Sequence, residues 1–213
     1  MMGRNTVKVV AFDCDGVMFD STKANQAYYN QVLAYFEKPP MTKEQFAYVH
    51  MHTVDESIAF LFESPQAFQA AQAYRKKMNY HQFISKMEIE PDLKALIRKL
   101  RPQYKTAIAT NRTDSMKRVL SQHGLEHFFD LVVTTMDVDK PKPHPDQLLK
   151  ILGFFQVEPK SLLYVGDSKL DELSAKAAGV PLVAYNNPEL EATFHVNRLE
   201  EVWTILENHL KPH

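Results

Sequence analysis

The sequence predicts an α/β fold: a parallel sheet whose first strand is followed by an inserted helical domain. Three observations carry that expectation. Five short apolar runs rich in β-branched residues, at 7–12, 104–109, 131–135, 162–165 and 180–184, have the length and composition of buried strands. Helical patterns lie between the last four, at 113–123, 145–152 and 169–178, each followed by a glycine (Gly124, Gly153, Gly179) placed to stop a helix. Between the first and second strands the apolar period becomes helical, and no strand-like run occurs until the sheet resumes.

Taken in order, the first strand ends at Phe12 and runs straight into Asp13 and Asp15. Ala24, Tyr28, Val32 and Tyr35-Phe36 then recur every three or four positions, as do Val54, Ile58 and Leu61-Phe62, and Phe68, Ala71, Tyr74 and Met78. Lys38-Pro39-Pro40 and Ser64-Pro65 separate these helices, whose aromatic stripes read as the core of a small bundle. Glu90-Pro91-Asp92 opens a further helix leading back to the sheet, with Pro91 suited to its first turn. Strands alternating with helices of this length give a parallel sheet covered on both faces. The expected domains are a Rossmann-like core from residues 1–20 and 88–213 and a helical cap from 21–87.

Bulk properties narrow the function. At 213 residues the chain can bury one core and a small satellite. A net charge of -1 gives no electrostatic footprint for nucleic acid, and Arg75-Lys76-Lys77 reads as the solvated face of a helix. Cys14 is the single cysteine, so no intrachain disulfide can form, which fits a cytoplasmic protein. Strand alternation turns Cys14 away from the two carboxylates and marks it as a small buried hydrophobe. No apolar run reaches the length of a membrane span, the N-terminus lacks the apolar stretch of a signal peptide, and Met2 stands where myristoylation needs glycine. A monomer is expected. His50-Met51-His52 lacks the spacing of a helical metal pair.

In an open parallel sheet, ligands bind beyond the carboxyl ends of the strands. Asp13 and Asp15 follow the first strand, Thr110 and Asn111 the second, Lys142 lies beyond the third, and Gly166, Asp167 and Asp171 follow the fourth. Asp13 and Asp15 fall on one side of an extended chain, where two close carboxylates resist double ionisation unless a cation or a shared proton relieves them. Gly16 lets the chain turn sharply after them. Carboxylates with a hard cation such as Mg²⁺, an ammonium and a hydroxyl suit a phosphate monoester, which needs a nucleophile, charge neutralisation and leaving-group protonation. Lys140-Pro141-Lys142-Pro143 offers two lysines; Lys142 is assigned because it leaves Leu148 and Leu149 where the next helix should meet the core, with Lys140 as the fallback.

In this order the residues resemble the haloacid dehalogenase superfamily, in particular its phosphoglycolate-phosphatase-like and β-phosphoglucomutase-like branch with a helical cap. Phe12-Asp13-Cys14-Asp15-Gly16-Val17, with Asp20-Ser21 beyond, is similar to the first motif, and Ala109-Thr110-Asn111-Arg112 to the second. Lys142-Pro143-His144-Pro145-Asp146 is similar to the third, and Gly166-Asp167-Ser168-Lys169-Leu170-Asp171 to the fourth. The resemblance implies that Asp13 is a nucleophile forming an aspartyl phosphate and Asp15 the acid and then the base. It implies Mg²⁺ held by Asp13, the Asp15 backbone carbonyl and Asp167. Thr110, the Asn111 backbone and Lys142 would bind the phosphoryl group, and Asp171 would orient a metal-bound water or Lys142.

Val17 departs from the family's frequent threonine. The implied activity is hydrolysis of a small phosphorylated metabolite, phosphoglycolate-like or a sugar phosphate. A phosphomutase is the nearest rival, and a non-catalytic phospho-switch module is the reading from another class. Receiver domains of that class are shorter and lack a helical insertion. Lys23, His50, His52, Thr53 and Arg75 are the cap residues that could meet a leaving group, with packing or solvent exposure as the simpler reading of each.

Overall fold

The computed structural model describes residues 7–209. The expectations about the extreme N-terminus, Met2 included, lie outside the described residues. In chain order the elements are β1 (Val9–Phe12), β2 (Phe19–Asp20), α1 (Thr22–Tyr35), α2 (Lys43–Met51), α3 (Val54–Leu61), α4 (Pro65–Arg75), α5 (His81–Ile84) and β3 (Glu88–Ile89). They continue with α6 (Leu93–Leu100), β4 (Lys105–Ala109), α7 (Ser115–Gln122), β5 (Leu131–Val133), α8 (Asp146–Phe155), β6 (Leu162–Gly166), α9 (Lys169–Ala178), β7 (Leu182–Tyr185), β8 (Phe194–Val196) and α10 (Glu201–His209). Contacts divide the chain into one compact unit, through Phe19 and again from Ile89, and a second, Asp20–Glu88.

The first unit carries a six-stranded sheet in the order β5-β4-β1-β6-β7-β8. All its pairings are parallel, so the α/β parallel architecture is as expected. β1 lies between β4 and β6, and every residue of it is buried, as befits a strand covered on both faces. The chain builds outward to β5 on one side, then crosses back to β6 on the other. The carboxyl end of β1 is therefore the point where strand order reverses and ligands are expected.

Several elements differ from the sequence expectation. The sheet has a sixth strand, β8, and the short pair β2-β3 lies where no strand was expected. α6 begins at Leu93 with Asp92 as its N-cap, so Pro91 precedes the helix instead of opening it. α8 runs on through Gly153 and stops at Gln156, which takes the left-handed conformation at φ 53°. Leu148 is fully buried, but Leu149 is 48% exposed, and Gln147 is buried beside Leu148. α9 does end as expected, at Gly179 with φ 69°.

The second unit is a bundle of α1 to α5. Aromatic pairs hold it together: Tyr28 packs edge-on against Tyr29, Tyr80 and Phe83, and Phe36 against Phe62, while Tyr35, itself exposed, stacks on Tyr74. Such pairs add modestly to the burial of their area. Thr42 and Thr53 each begin a helix with a reciprocal cap. The Thr53 hydroxyl accepts the Glu56 amide, and the Glu56 carboxylate accepts the Thr53 amide at 2.9 Å. Thr53→Ala is expected to cost about 1 kcal/mol of stability, read by denaturant unfolding. Among the described residues, no helix is long and apolar enough to cross a membrane.

Candidate active site

Four chain segments meet at the carboxyl end of β1. Asp13 continues the strand, its amide bonded to Val165 of β6 at 2.9 Å. Gly16 turns back at φ 86°, and a Cβ there would lie 2.0 Å from Asp167 Oδ2, so only glycine lets the Asp167 carboxylate approach. Gly166 serves the same end: its Cβ would fall 2.4 Å from that of Asp171. Cys14 is fully buried, and burial pushes its thiol well up, so it stays a neutral hydrophobe beside this chemistry.

Lys142 is the hub. Its side chain is 3% exposed and its ammonium lies 2.7 Å from Asp13 Oδ1, 2.7 Å from Asp171 Oδ1 and 3.0 Å from the Tyr164 hydroxyl. Burial works against its charge, but Asp13 and Asp171 outweigh burial and hold Lys142 above its ordinary value. Lys140 stays outside, with its amide on Asp146. Tyr164 rises from mid-sheet among Ala11, Ala107 and Ala109, whose small side chains belong to the same buried cluster. Its hydroxyl donates to Asp171 at 2.6 Å; burial, then the Asp171 charge, push it well above its ordinary value and keep it a donor.

The aspartates divide by their surroundings. Asp171 has no spare acceptor geometry: Oδ1 takes Lys142 and Tyr164, and Oδ2 takes the Asp167 and Ser168 amides and the Ser168 hydroxyl. Burial alone would raise its pKa, but Lys142 and these donors outweigh burial and hold it low. Asp13 is pushed up to about 7, chiefly by burial, with Lys142 pulling the other way and Asp171 adding to the rise. Asp167 is pushed up to about 9 by burial, then by Asp171 and Asp13.

Oxygens of Asp13, Asp167 and Asp171 lie within 4.8 Å of one another. Asp167 Oδ1 is buried without a hydrogen-bond partner. A hard divalent cation fits that arrangement, because it relieves both the repulsion and the orphaned oxygen with ligands of the type it prefers. Asp13 and Asp167 have the coordinating capacity, and Asp171 is spent on hydrogen bonds.

The second-motif residues are cross-tied to the same place. Thr110 Oγ accepts the Arg112 amide at 3.1 Å, which leaves its hydroxyl proton to donate. Asn111 Nδ2 donates to the Lys142 carbonyl at 3.0 Å, joining the two loops, and Gln147 Nε2 donates to the Thr110 carbonyl at 2.6 Å. Asp15 stands apart from the acidic triad. Each of its oxygens accepts one bond from the Arg112 guanidinium, which leaves each a second lone pair for a proton. Sequence reasoning gave no task to Arg112, Tyr164 or Gln147. The only signals were a cation in the second motif and polar groups on otherwise apolar faces.

The cap candidates all have partners within the second unit. Lys23 pairs with Glu88, His50 Nδ1 lies 3.1 Å from Asn25 Nδ2, and His52 stacks on Tyr48 at 3.9 Å. Arg75 pairs with Asp55 at 2.7 Å. Each is accounted for by local packing or pairing.

The family profile described as haloacid dehalogenase-like hydrolase matches residues 10–185. The chain belongs to that family. This HAD-like hydrolase is 36% identical to a HAD-superfamily hydrolase of subfamily IA from Geobacter sulfurreducens, whose crystal structure superposes with a TM-score of 0.79 over 96% of this chain and 98% of that one. It is 25% identical to the phosphoglycolate phosphatase of Pasteurella multocida, over 94% of this chain and 98% of the relative. It is 27% identical to the pyrophosphatase PpaX of Bacillus cereus, over 95% and 97%. The HAD-like assignment implies a phosphatase with a phosphorylated small molecule as substrate, and it agrees with the divalent-cation character of the buried acidic triad.

Proposed function

We propose that this HAD-like hydrolase is a Mg²⁺-dependent phosphatase that releases inorganic phosphate from a small phosphorylated metabolite by way of an aspartyl phosphate on Asp13. The observation that carries the reading is the position of Asp13, 2.7 Å from the Lys142 ammonium and in one acidic cluster with Asp167, whose Oδ1 is unpartnered. Lys142 offsets part of the cost of ionising this buried carboxylate, which lies where a phosphoryl group would sit. Asp13, Asp167 and the Asp15 backbone carbonyl would hold Mg²⁺, which supplies charge neutralisation for the phosphoryl oxygens.

Asp13 attacks phosphorus as the bond to the leaving oxygen breaks, and Asp15 gives that oxygen a proton. Asp15 then takes a proton from water as the water attacks phosphorus, the Asp13–phosphorus bond breaks and phosphate departs. Proton transfers of this kind are worth about 10²- to 10⁴-fold each. Thr110 Oγ–H and the Asn111 amide grip phosphoryl oxygens. Once Asp13 is phosphorylated its charge is lost, and the Lys142 N–H that it accepted turns to a phosphoryl oxygen as a hydrogen-bond donor, with the ammonium keeping its proton. Asp171 and Tyr164 keep Lys142 in place throughout.

The test is a panel of phosphate esters, with phosphoglycolate, sugar phosphates and pyrophosphate among them, assayed for phosphate release with and without Mg²⁺. Steady release from a small ester that depends on Mg²⁺ is expected. Isomerisation of a sugar phosphate that needs a bisphosphate activator would make the protein a mutase instead.

Cation binding should also be coupled to pH. Asp167 holds a proton at neutral pH because burial pushes it up to about 9, and a cation that takes its carboxylate must displace that proton. Affinity for Mg²⁺ is therefore expected to rise with pH between about 7 and 9, by up to about tenfold per unit. Calorimetric titration in two buffers of different ionisation enthalpy reads the released proton.

A further inference from the structure

We propose that Arg112 is a positioning residue, fixing the orientation of the Asp15 carboxylate for proton transfer; the proposal rests on the phosphatase reading above. Arg112 meets Asp15 as a fork, with Nε donating to Oδ2 at 2.7 Å and Nη2 to Oδ1 at 2.6 Å. Two parallel bonds set the plane of a carboxylate as well as its distance, which a single ammonium contact leaves free to turn. The partners are 97 residues apart in sequence, so the fork ties the loop after β4 to the loop after β1.

The fork is itself held rigidly. Its side chain is 6% exposed. The Arg112 amide donates to Thr110 Oγ, and its carbonyl accepts the Thr135 amide at 3.1 Å and the Thr135 hydroxyl at 3.4 Å. A residue anchored on both sides of its Cα delivers its side chain with little freedom, which is what orienting another group requires. Stability alone is a poor account of the pair, since an apolar pair of the same size would serve as well or better in a buried place. The pair occurs instead beside the one carboxylate whose oxygens must line up with a leaving oxygen and then with a water.

With the fork gone, Asp15 turns away from the line of proton transfer, while Thr110, Lys142 and the cation ligands are untouched. The turnover rate then falls and substrate affinity does not. 4-Nitrophenyl phosphate separates the two half-reactions, because 4-nitrophenolate leaves with its electron pair and needs no proton as the Asp13–phosphorus bond forms. The second half-reaction still requires Asp15 to take a proton from the attacking water.

The experiment compares the full chain with Arg112→Gln, Arg112→Lys, Asp15→Asn and the double variant, using 4-nitrophenyl phosphate and Mg²⁺ under steady-state and stopped-flow conditions. Arg112→Gln is expected to lower kcat about 10- to 100-fold with KM falling in step, so that kcat/KM stays within about twofold of the wild type. A burst of about one 4-nitrophenolate per enzyme should appear as the aspartyl phosphate accumulates. Arg112→Lys should regain part of the rate, and in the Asp15→Asn background Arg112→Gln should change the rate by less than about twofold.

An equal loss from Arg112→Gln in both backgrounds overturns the proposal, because Arg112 would then not act through Asp15. A raised KM at unchanged kcat overturns it in favour of direct substrate binding, and unchanged kinetics overturn it outright. Should Arg112→Gln fail to fold, Arg112→Lys decides: a several-fold loss of kcat at unchanged kcat/KM supports the fork, and full kcat overturns it. A wild-type chain that releases no phosphate from any ester overturns the phosphatase reading and this proposal with it, which is distinct from active enzyme with an idle Arg112.

Discussion

Asp13→Asn is expected to abolish phosphate release, with kcat reduced about 10⁴-fold or more, while the protein stays folded. An amide has the shape of the carboxylate but cannot form an acyl phosphate, so the loss falls on chemistry alone. Stability should move in the other direction. Asp13 is pushed up to about 7 in the fold against 3.8 as its ordinary value, so ionising it above about pH 7 costs folding free energy. The neutral amide avoids that cost and the repulsion from Asp171. The thermal midpoint of Asp13→Asn at pH 8 is expected to equal or exceed that of the wild type, and the difference should vanish below about pH 4, where both states of Asp13 are protonated. Phosphate release assayed beside thermal unfolding checks both halves. Retention of full activity would remove Asp13 from the role of nucleophile.

Lys142→Met is expected to damage both function and fold. Its ammonium is 2.7 Å from both Asp13 and Asp171, and methionine of similar volume leaves those carboxylates buried without their cation. Breaking a buried pair from one side costs about 3–5 kcal/mol, or roughly 10 °C in thermal midpoint for a chain of this size. Asp171 gives the loss a pH signature. Its carboxyl is held below the ordinary range in the fold, so its contribution is full above the unfolded pKa and disappears as pH falls through the folded one. The deficit of Lys142→Met should therefore be large at neutral pH and shrink in acid. Thermal unfolding at pH 7 and in mild acid reads it, and an equal deficit at both would show that lost packing, not lost charge, is responsible.

The strand ends were legible because each carries a polar group directly after an apolar run, and those runs are long enough to be read alone. That places Asp13, Thr110, Lys142, Asp167 and Asp171 in one region before any coordinates are known. What the pattern could not show is pairing at a distance. Nothing local to Arg112 points to a partner 97 residues away. Tyr164 reads as one more apolar strand residue, because nothing local says where its hydroxyl ends.

The missed elements have similar causes. β8 is a three-residue edge strand with an exposed histidine at its centre. α2 buries one residue, Val49, and so shows no period. α8 continues through Gly153 because Phe155 packs against the core and outweighs the roughly 1 kcal/mol penalty of a helical glycine.

Tyr164 has a consequence for how this chain can vary. Its ring shares one buried cluster with Ala11, Ala107 and Ala109, and its hydroxyl accepts from Lys142. Lengthening any of those alanines would tilt the phenol and transmit the shift to the ammonium, so methyl groups in the middle of the sheet act as shims under the reacting carboxylate. Their size is constrained by the chemistry above them as much as by the packing around them, and the site cannot be inherited without its floor.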